Sequence, residues 1–239
     1  MTRLLPPLEY AFSLPGTCQV CGRWPAQPVC SACMQRFASS TARCPACACP
    51  VPSGWGLCGR CLASAQPPLI ARCAAAVDYG YPWDALIARF KFRGEPGWAT
   101  VLAEPMLEQA MARGLLPSGV LLVPIPVTSR RLAERGYNQA WELTKVLQRR
   151  TGRAALADAL VRVIDAPDQH RLPQAQRLNN LRGAFAAHPD HVPRLAGARV
   201  VLVDDVRTTG ATLNSAAQAL QQAGVADIAA LVLARTPSD

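Results

Sequence analysis

Two patterns of apolar and polar positions follow one another along the chain, and the change falls near residue 66. After the linker-like stretch 65–68, short apolar runs that suit buried strands alternate with amphipathic stretches of helical spacing. This alternation is typical of an α/β domain with a parallel sheet and crossover helices. Residues 1–66 instead hold nine of the ten cysteines. We predict a cysteine-rich module over 1–66 and an α/β domain over 67–239.

The apolar runs predict individual elements of the second domain. The predicted strands are Ala74–Tyr79, Val120–Val127, Ala159–Ile164, Arg199–Val203 and Ile228–Ala234. The predicted helices are Trp83–Phe92, Pro105–Arg113, Asn138–Arg150, Gln174–Leu181 and Ala211–Ala223. The last strand–helix–strand unit has the clearest pattern, because its first strand is a continuous apolar run and Gly224 ends its helix.

The cysteines occur as four CxxC pairs, which are Cys18/Cys21, Cys30/Cys33, Cys44/Cys47 and Cys58/Cys61. Two residues between cysteines let both sulfurs of a tight turn bind one ion, and two such turns complete a tetrahedral zinc shell. We therefore predict two structural zinc ions. In the preferred arrangement, each zinc is bound by two adjacent CxxC pairs. A crossed arrangement, in which the first pair joins the third and the second pair joins the fourth, stays open.

Other uses of the cysteines fit the pattern less well. A disulfide framework requires an oxidising compartment, and no secretion signal is found. A single redox CxxC does not account for four copies. Both predicted zinc shells are full, so the module is structural or a docking surface. Cys49 and Cys73 are expected to be small apolar fillers, while Trp24 and Trp55 are either core filler or a platform for stacking bases.

The formal charge of +9 is carried almost entirely by arginine and invites a nucleic-acid partner. Two zinc ions held by eight thiolates would cancel the positive charge of residues 1–66, so a modest excess remains, which suits an anionic substrate equally well. The chain has no apolar run long enough to cross a membrane and no convincing signal peptide. We expect a cytoplasmic protein without membrane insertion.

Residues 200–213 read VVLVDDVRTTGATL, an apolar strand that ends in two acids and a turn that leads into a helix. Ligands of open α/β sheets bind at this edge. Backbone N–H groups at the helix start and nearby hydroxyls form a cradle for a phosphate. The phosphate-binding candidates are Thr208, Thr209, Gly210, Ala211 and Thr212. Asp204 and Asp205 would repel that phosphate, so we expect them to bind the hydroxyls of an attached sugar, or a metal ion.

Two alternatives apply to this turn. P-loop NTPases also hold magnesium with acids at a strand end, but neither GxxxxGK[ST] nor GxGxxG occurs in the chain. An incidental turn is the structural alternative, and the agreement of strand, acids, turn and helix argues against it.

The run DDVRTTGAT resembles the phosphoribosyl pyrophosphate signature of type I phosphoribosyltransferases. In that family the acids bind the ribose hydroxyls and the following loop binds the 5′-phosphate. Arg207 departs from the common aliphatic residue, and we expect its side chain to reach solvent or to help neutralise a phosphate.

The four CxxC pairs add a second resemblance, together with the segments FKFRG (90–94), PIPVTSRRLAERGYNQA (124–140) and QRLNNLRGAF (176–185). The combination is similar to the ComF family of competence proteins and their GntX-like relatives. This resemblance implies a double zinc ribbon before a type I phosphoribosyltransferase-like domain. It also implies a role in DNA uptake during natural competence.

By this resemblance, the turn after residues 123–126 receives pyrophosphate and brings Ser129, Arg130 and Arg131 to the sheet edge. Arg135 is a further anion clamp candidate, and Lys91 is expected to reach phosphate or to extend from a helix face into solvent. Solvated arginines at a helix start are the simpler interpretation. Asn138 is a good helix N-cap.

Three arginines lie in segment 168–185, namely Arg171, Arg177 and Arg182. In an enzyme this segment would fold over the sugar and recognise the acceptor, whereas in a nucleic-acid protein its arginines would contact backbone phosphates. The sequence does not choose between these uses.

Two functions follow as hypotheses. In the first, Asp204 and Asp205 are the catalytic acids of a phosphoribosyltransferase that works with magnesium and an unknown acceptor. In the second, a non-catalytic protein uses the pocket to sense phosphoribosyl pyrophosphate or a nucleotide. Its zinc module then docks to single-stranded DNA or to the DNA-uptake machinery.

Overall fold

The computed structural model describes residues 16–38, 41–64, 68–163 and 183–237. The chain divides into two compact units, Met1–Phe37 and Ala38–Asp239. The first two CxxC pairs therefore lie in the smaller unit and the last two in the larger unit. The boundary that we predict from composition, near residue 66, stays a prediction.

The smaller unit is built around its cysteines. A single antiparallel bridge joins Gly16 to Ala26, and helix α1 (Ser31–Phe37) follows. The helix buries Cys33, while most of the remaining described residues of the unit are exposed. Such a short segment buries little apolar surface, so its fold depends on whatever binds the cysteines.

The larger unit is an α/β fold. Its strands are β1 (Arg72–Asp78), β2 (Leu121–Pro124), β3 (Ala154–Ala155), β4 (Leu160–Arg162), β5 (Phe185–Ala187), β6 (Arg199–Arg207) and β7 (Asp227–Arg235). Its helices are α2 (Gly59–Leu62), α3 (Trp83–Phe92), α4 (Trp98–Ala112), α5 (Ser129–Arg135), α6 (Gln139–Thr151), α7 (Val192–Leu195) and α8 (Ala211–Gln222). A 3₁₀ turn, Pro189–His191, precedes α7.

Five strands form one parallel sheet in the order β1-β7-β6-β2-β3, and β4 pairs with β5 in a separate antiparallel ladder. The strands β6 and β7 are almost entirely buried, as expected for central parallel strands covered on both faces. Because β6 is the middle strand of the sheet, the residues that follow it lie at the centre of the carboxyl edge.

Helices cover the sheet on both sides. Helices α4 and α6 pack together against the sheet, and α3 packs against α4. On the opposite face, α8 and the β4–β5 ladder share a core with alternate residues of the sheet strands. In this core Leu213, Ala216 and Leu220 of α8 contact the layer that contains Val200 and Leu202 of β6. Burial of α8 therefore fixes the start of that helix beside the end of β6.

The parallel sheet with flanking helices confirms the fold class, and helix Trp83–Phe92 has the predicted bounds. Helix α4 begins at Trp98 rather than at Pro105, because Trp98, Leu102 and Ala103 already bury an apolar face and Pro105 fits inside the helix. Strand β6 continues to Arg207 rather than ending at Val203, because its pairing with β7 extends through the acids.

Two further predictions concern helices. The predicted helix Gln174–Leu181 lies outside the described residues. Within the described ranges, no helix has both the length and the apolar content needed to cross a membrane.

Candidate functional site

The acid pair lies at the carboxyl end of the central strand β6. Asp204 and Asp205 are 8% and 4% exposed, and the backbone N–H of Asp205 donates to Asp204 Oδ1 at 2.8 Å. Burial, followed by the charge of Asp205, raises the pKa of Asp204 to about 8. Burial and mutual repulsion thus disfavour ionisation of both acids together, and a group that hydrogen-bonds or neutralises both acids would favour the ionised pair.

Two cationic side chains face this pair. Lys91 Nζ, from α3, lies 2.8 Å from Asp205 Oδ2. At the end of α5, burial lowers the pKa of Arg135, and the charge of Asp205 acts in the opposite direction. The Arg135 guanidinium also lies 5.4 Å from the centre of the Phe92 ring and donates a hydrogen bond to Gln139. The structure thus brings Lys91, which is distant in sequence, into an ion pair with Asp205, and Arg135 interacts electrostatically with the same acid.

The turn after β6 leads directly into helix α8. Gly210 has a φ of 85°, in the left-handed region that favours glycine, and no side chain caps the helix. The N–H of Ala211 donates to Thr209 Oγ1 at 3.3 Å. Thr208 is exposed, and Thr209 and Thr212 are half-buried. The backbone N–H groups at this helix start and the hydroxyls of the three threonines are hydrogen-bond donors of the kind that a phosphate requires.

Arg207 does not reach solvent, so that part of our expectation is wrong. Its side chain is buried beneath the turn, and a Cβ added at Gly210 would lie only 2.6 Å from Arg207 Nη2. Gly210 therefore lies directly against the Arg207 guanidinium, and a side chain at this position would have to displace that guanidinium. The one sequence signal for this role is a basic residue at a position that is commonly aliphatic.

The segment predicted to receive pyrophosphate forms helix α5. Thr128 caps this helix by accepting from the N–H of Arg131 at 3.1 Å. Arg130 pairs with Glu134 at 3.0 Å, and both side chains are well exposed. Ser129 begins the helix at the same end as Thr128. Of these candidates, the structure brings Arg135 to the acid pair, and it places Arg130 in a surface ion pair.

Asn138 has the structural role that its residue type predicts. Its side-chain oxygen accepts from the N–H groups of Ala140 and Trp141, and its side-chain nitrogen donates to the Ile125 carbonyl at 3.0 Å. Asn138 therefore starts α6 and also fixes the loop that follows β2. Sequence reasoning missed Tyr137, whose hydroxyl donates to the Phe90 carbonyl and thereby holds α3, with Lys91, against this loop.

The cysteines form two groups of four sulfurs, each with all its ligand atoms within 4.8 Å of one another. One group is Cys18, Cys21, Cys30 and Cys33, and the other is Cys44, Cys47, Cys58 and Cys61. Adjacent CxxC pairs thus share each cluster, and the crossed arrangement does not occur. Sulfur pairs are separated by 3.9 Å (Cys18–Cys33), 3.8 Å (Cys21–Cys30) and 3.6 Å (Cys47–Cys58).

These distances suit zinc. A tetrahedral shell with zinc–sulfur bonds of about 2.3 Å has sulfur–sulfur edges of about 3.8 Å. All ten cysteines are free thiols, so the structure has no disulfide framework. The first cluster favours the thiolate at one of its sulfurs: burial opposes ionisation of Cys18, but backbone N–H groups from Cys30, Cys21 and Val20 lower its pKa to about 6. In the same cluster, burial and neighbouring sulfurs raise the pKa of Cys33 to about 12.

The remaining predictions concern two tryptophans of the cysteine-rich module and three arginines of segment 168–185. Trp24 and Trp55 are 68% and 63% exposed, so the interpretation of these tryptophans as core filler is wrong. The arginines predicted to cover the ligand, Arg171, Arg177 and Arg182, lie outside the described residues.

Known proteins share both parts of this chain. The family described as "Phosphoribosyl transferase domain" matches residues 154–239. The chain is 34% identical to "DNA utilization protein YhgH" of Salmonella typhi, over 94% of this chain and 99% of that protein. It is also 34% identical to "Competence protein F" of Haemophilus influenzae, over 74% of this chain and 78% of that protein. The chain belongs to the ComF family.

The ComF assignment agrees with the parts seen in the structure, a phosphoribosyltransferase-like sheet and two groups of four cysteines near the N-terminus. A solved structure described as "Structure of the allosteric regulatory enzyme of purine biosynthesis" overlays 57% of this chain and 26% of its own at 19% identity, with a TM-score of 0.35.

Proposed function

We propose that this ComF-family chain binds phosphoribosyl pyrophosphate, or a related 5′-phosphoribosyl ligand, at the carboxyl edge of its sheet. The observation that carries the proposal is the buried acid pair, Asp204 and Asp205, which only residues 206–210 separate from a helix N-terminus without a side-chain N-cap. One end of this site attracts a phosphate and the other repels it. A sugar that carries a phosphate at one end satisfies both requirements.

The 5′-phosphate binds the turn. The donors are the hydroxyls of Thr208, Thr209 and Thr212 and the N–H groups at the start of α8, beside Gly210 and Ala211. The ribose then lies over the end of β6, where the carboxylates accept hydrogen bonds from its hydroxyls. Because accepting these bonds favours the ionised acids, ligand binding is expected to release the proton from Asp204.

The pyrophosphate lies on the side of the cations. Lys91 and Arg135 face the acid pair, and Ser129, Arg130 and Arg131 belong to the same short helix as Arg135. Oxygen donors are the ligands that magnesium prefers, and two adjacent carboxylates fit that preference. Magnesium bound with the ligand would neutralise the negative charge on pyrophosphate.

The reaction expected of this arrangement is transfer of the phosphoribosyl group. The bond between C1′ and pyrophosphate oxygen breaks, the electron pair leaves with pyrophosphate, and C1′ bonds to an acceptor that loses a proton. The carboxylates of Asp204 and Asp205 stabilise positive charge on the ribose ring, and Lys91 and Arg135 stabilise the leaving pyrophosphate. The names of the ComF relatives connect this chemistry, as a proposal, with the uptake or use of DNA inside the cell.

Isothermal titration of the zinc-loaded protein with phosphoribosyl pyrophosphate and magnesium tests the proposal. We expect micromolar binding, lost in the Asp204→Asn/Asp205→Asn double variant and kept in the control Asp190→Asn, whose carboxyl is exposed. Zinc content should be equal in all three proteins. Absence of binding by well-folded wild-type protein would contradict the site, and binding that survives in the double variant would contradict the role of the acids.

A second candidate function is supported by a separate observation, the exposure of Trp24 and Trp55. Exposed aromatic side chains suit stacking on the bases of single-stranded DNA. Tryptophan fluorescence with a single-stranded oligonucleotide tests this candidate in each of Trp24→Ala and Trp55→Ala. Quenching that weakens with salt and is lost in these variants supports it. Quenching that Asp204→Asn/Asp205→Asn removes instead would assign the signal to the phosphoribosyl site.

A further inference from the structure

Two arginines are buried in the larger unit without a carboxylate partner. Arg207 and Arg235 are 6% and 1% exposed, and the Nε of each has no hydrogen-bond acceptor. Within the part of the chain that the structure describes, neither guanidinium forms an ion pair with an acid. A buried and uncompensated charge is costly, so these two positive charges require a negative partner.

The contacts of Arg207 lead toward the second cysteine cluster. Arg207 Nη1 donates to Cys73 Sγ at 3.3 Å, and the backbone N–H of Cys73 donates to the Pro45 carbonyl at 2.6 Å. Pro45 lies between the ligands Cys44 and Cys47. The guanidinium is thus separated from the second cluster by one side chain and one backbone hydrogen bond.

Arg235 belongs to the same group. Its Nη1 donates to the Arg207 carbonyl at 3.2 Å. Burial, and then the charge of Arg207, lowers the pKa of Arg235, while the sulfurs of Cys47 and Cys49 act in the opposite direction. Arg235 is thus joined by a hydrogen bond to the backbone of Arg207, and its charge adds to that of the Arg207 guanidinium.

The charges match. Four thiolates and one zinc ion carry a net charge of about −2, and the two guanidiniums carry the opposite amount. A metal-loaded cluster beside Arg207 and Arg235 is the negative partner that these buried side chains otherwise lack.

On its other side, Arg207 supports the phosphate-binding turn. A Cβ at Gly210 would lie 2.6, 2.9 and 3.0 Å from Nη2, Cζ and Nε of Arg207. The guanidinium is thus in close contact with the last residue before α8. A movement of Arg207 would leave a gap beneath Gly210 or push this residue upward.

We propose that Arg207 and Arg235 are the counter-charges of the metal-loaded cluster Cys44/Cys47/Cys58/Cys61, and that Arg207 transmits metal binding to the phosphate-binding turn. The first half does not depend on the proposed function. The second half rests on it, because it assigns the turn a ligand. In this arrangement Arg207 is a positioning residue, and the second cluster is part of the architecture of the ligand site.

Competition with a chromophoric zinc chelator tests the first half in the full-length protein. Each variant is made in a Cys18→Ser background, so that the second cluster is the site measured. Arg207→Gln and Arg235→Gln should each weaken zinc binding about 10–100-fold, the usual effect of losing a partner outside the ligand shell. Arg207→Lys, which keeps the charge, should recover part of the loss. Arg199→Gln, at the exposed start of the same strand, is the control. Unchanged zinc affinity in both glutamine variants would overturn the assignment.

Hydrogen exchange in the wild-type protein tests the link to the turn without any variant. Removal of zinc should speed exchange of backbone amides at 208–212 more than that of helix α6. Equal exchange with and without zinc, or a uniform increase over all peptides of the larger unit, would overturn the link.

Titration with phosphoribosyl pyrophosphate separates the two proposals. If the wild-type protein binds, zinc-loaded Arg207→Gln should bind several-fold more weakly, with recovery in Arg207→Lys; equal affinity in wild type and Arg207→Gln would overturn the second half. If the wild-type protein does not bind, the proposed function fails, and the zinc-affinity and exchange results still decide the contact between Arg207 and the second cluster.

Discussion

The two cysteine clusters begin with the same turn. In the first cluster the N–H of Gly22 donates to the Cys18 carbonyl at 2.9 Å, and in the second the N–H of Ala48 donates to the Cys44 carbonyl at 2.8 Å. The residue after the CxxC has a positive φ in both cases, 74° at Gly22 and 58° at Ala48. Equal spacing thus produces equal local geometry.

The second halves of the clusters also match. Cys30 directly precedes α1, and Cys58 is the N-cap residue of α2. The Cys30 carbonyl accepts from Met34, and the Cys58 carbonyl accepts from Leu62, both at 2.9 Å. Each cluster is therefore a turn followed by a short helix, and the segments around them are structural repeats.

What surrounds the two clusters differs. Among the described residues other than its two chain neighbours, none has an atom within 4 Å of the position that a Cβ of Gly22 would occupy. Ala48 is fully buried in the core that also holds Cys73, and Arg43 pairs with Asp78 at 2.9 Å while donating to the Ala48 carbonyl. The same local structure thus stands alone in one unit and forms part of the core of the other. The CxxC motif determines the local geometry of each cluster, and tertiary packing determines what surrounds it.

The largest expected effect is the loss of one cluster. Cys18→Ser and Cys44→Ser should each reduce zinc content from two ions to one. Cys44→Ser should also lower the free energy of unfolding of the larger unit by several kcal/mol, because structural zinc contributes about 10–16 kcal/mol to isolated zinc fingers. Metal analysis and calorimetry measure both quantities. An equal loss of stability of the larger unit in both variants would remove the contrast between the clusters.

The buried acid pair should make the stability of the larger unit depend on pH. The pKa of Asp204 is raised from its ordinary value of 3.8 to about 8 in the folded protein. Between these two values the folded state binds more protons than the unfolded state. Stability of the ligand-free, zinc-loaded protein should therefore fall as pH rises from about 4 to 8, by at most about 1.4 kcal/mol per pH unit. Asp204→Asn should flatten this slope in chemical unfolding curves. A slope that persists in Asp204→Asn would assign it to other groups.

The fifth cysteine near the second cluster tests the ligand set. Cys49 is buried and lies outside the group of four sulfurs that can share one ion, so it is expected to remain a thiol. Cys49→Ala should leave two zinc ions bound and lower the free energy of unfolding by about 1 kcal/mol, as small core changes do. Binding of one ion instead of two by mass spectrometry would make Cys49 a ligand.

The smallest expected effect comes from the residue after each first CxxC. Gly22→Ala should weaken zinc binding at the first cluster by about 1 kcal/mol, because alanine is strained at positive φ. No described residue is close enough to pack against the added methyl group. Ala48→Gly should be close to neutral, because relief of the same strain is offset by loss of a buried methyl worth about 0.8 kcal/mol. Zinc competition in single-cluster backgrounds measures both changes. Clearly tighter zinc binding in Ala48→Gly would show that burial of the Ala48 methyl group contributes little to the stability of the second cluster.

Local spacing was enough to predict much of this protein. The CxxC pairs predicted two groups of four cysteines, and the run from Val200 to Leu213 predicted a strand, an acid pair and a helix start in their observed order. The cap of α6 by Asn138 followed from residue type. In each case the interacting atoms belong to residues close in sequence, so periodicity and spacing determine their geometry.

The tertiary structure alone decided which distant residues meet. Arg207 and Cys73 are in contact although they are 134 residues apart in sequence. Lys91 reaches Asp205 because α3 packs against α4 and is bonded through the Phe90 carbonyl to Tyr137. Ala48 is buried because the second cluster packs with the sheet core. Such contacts depend on strand order and helix packing, which arise from burial of apolar surface by the chain as a whole. For the same reason, the sequence showed that Arg207 stands at a commonly aliphatic position, but it did not show that the Arg207 side chain is buried against Cys73.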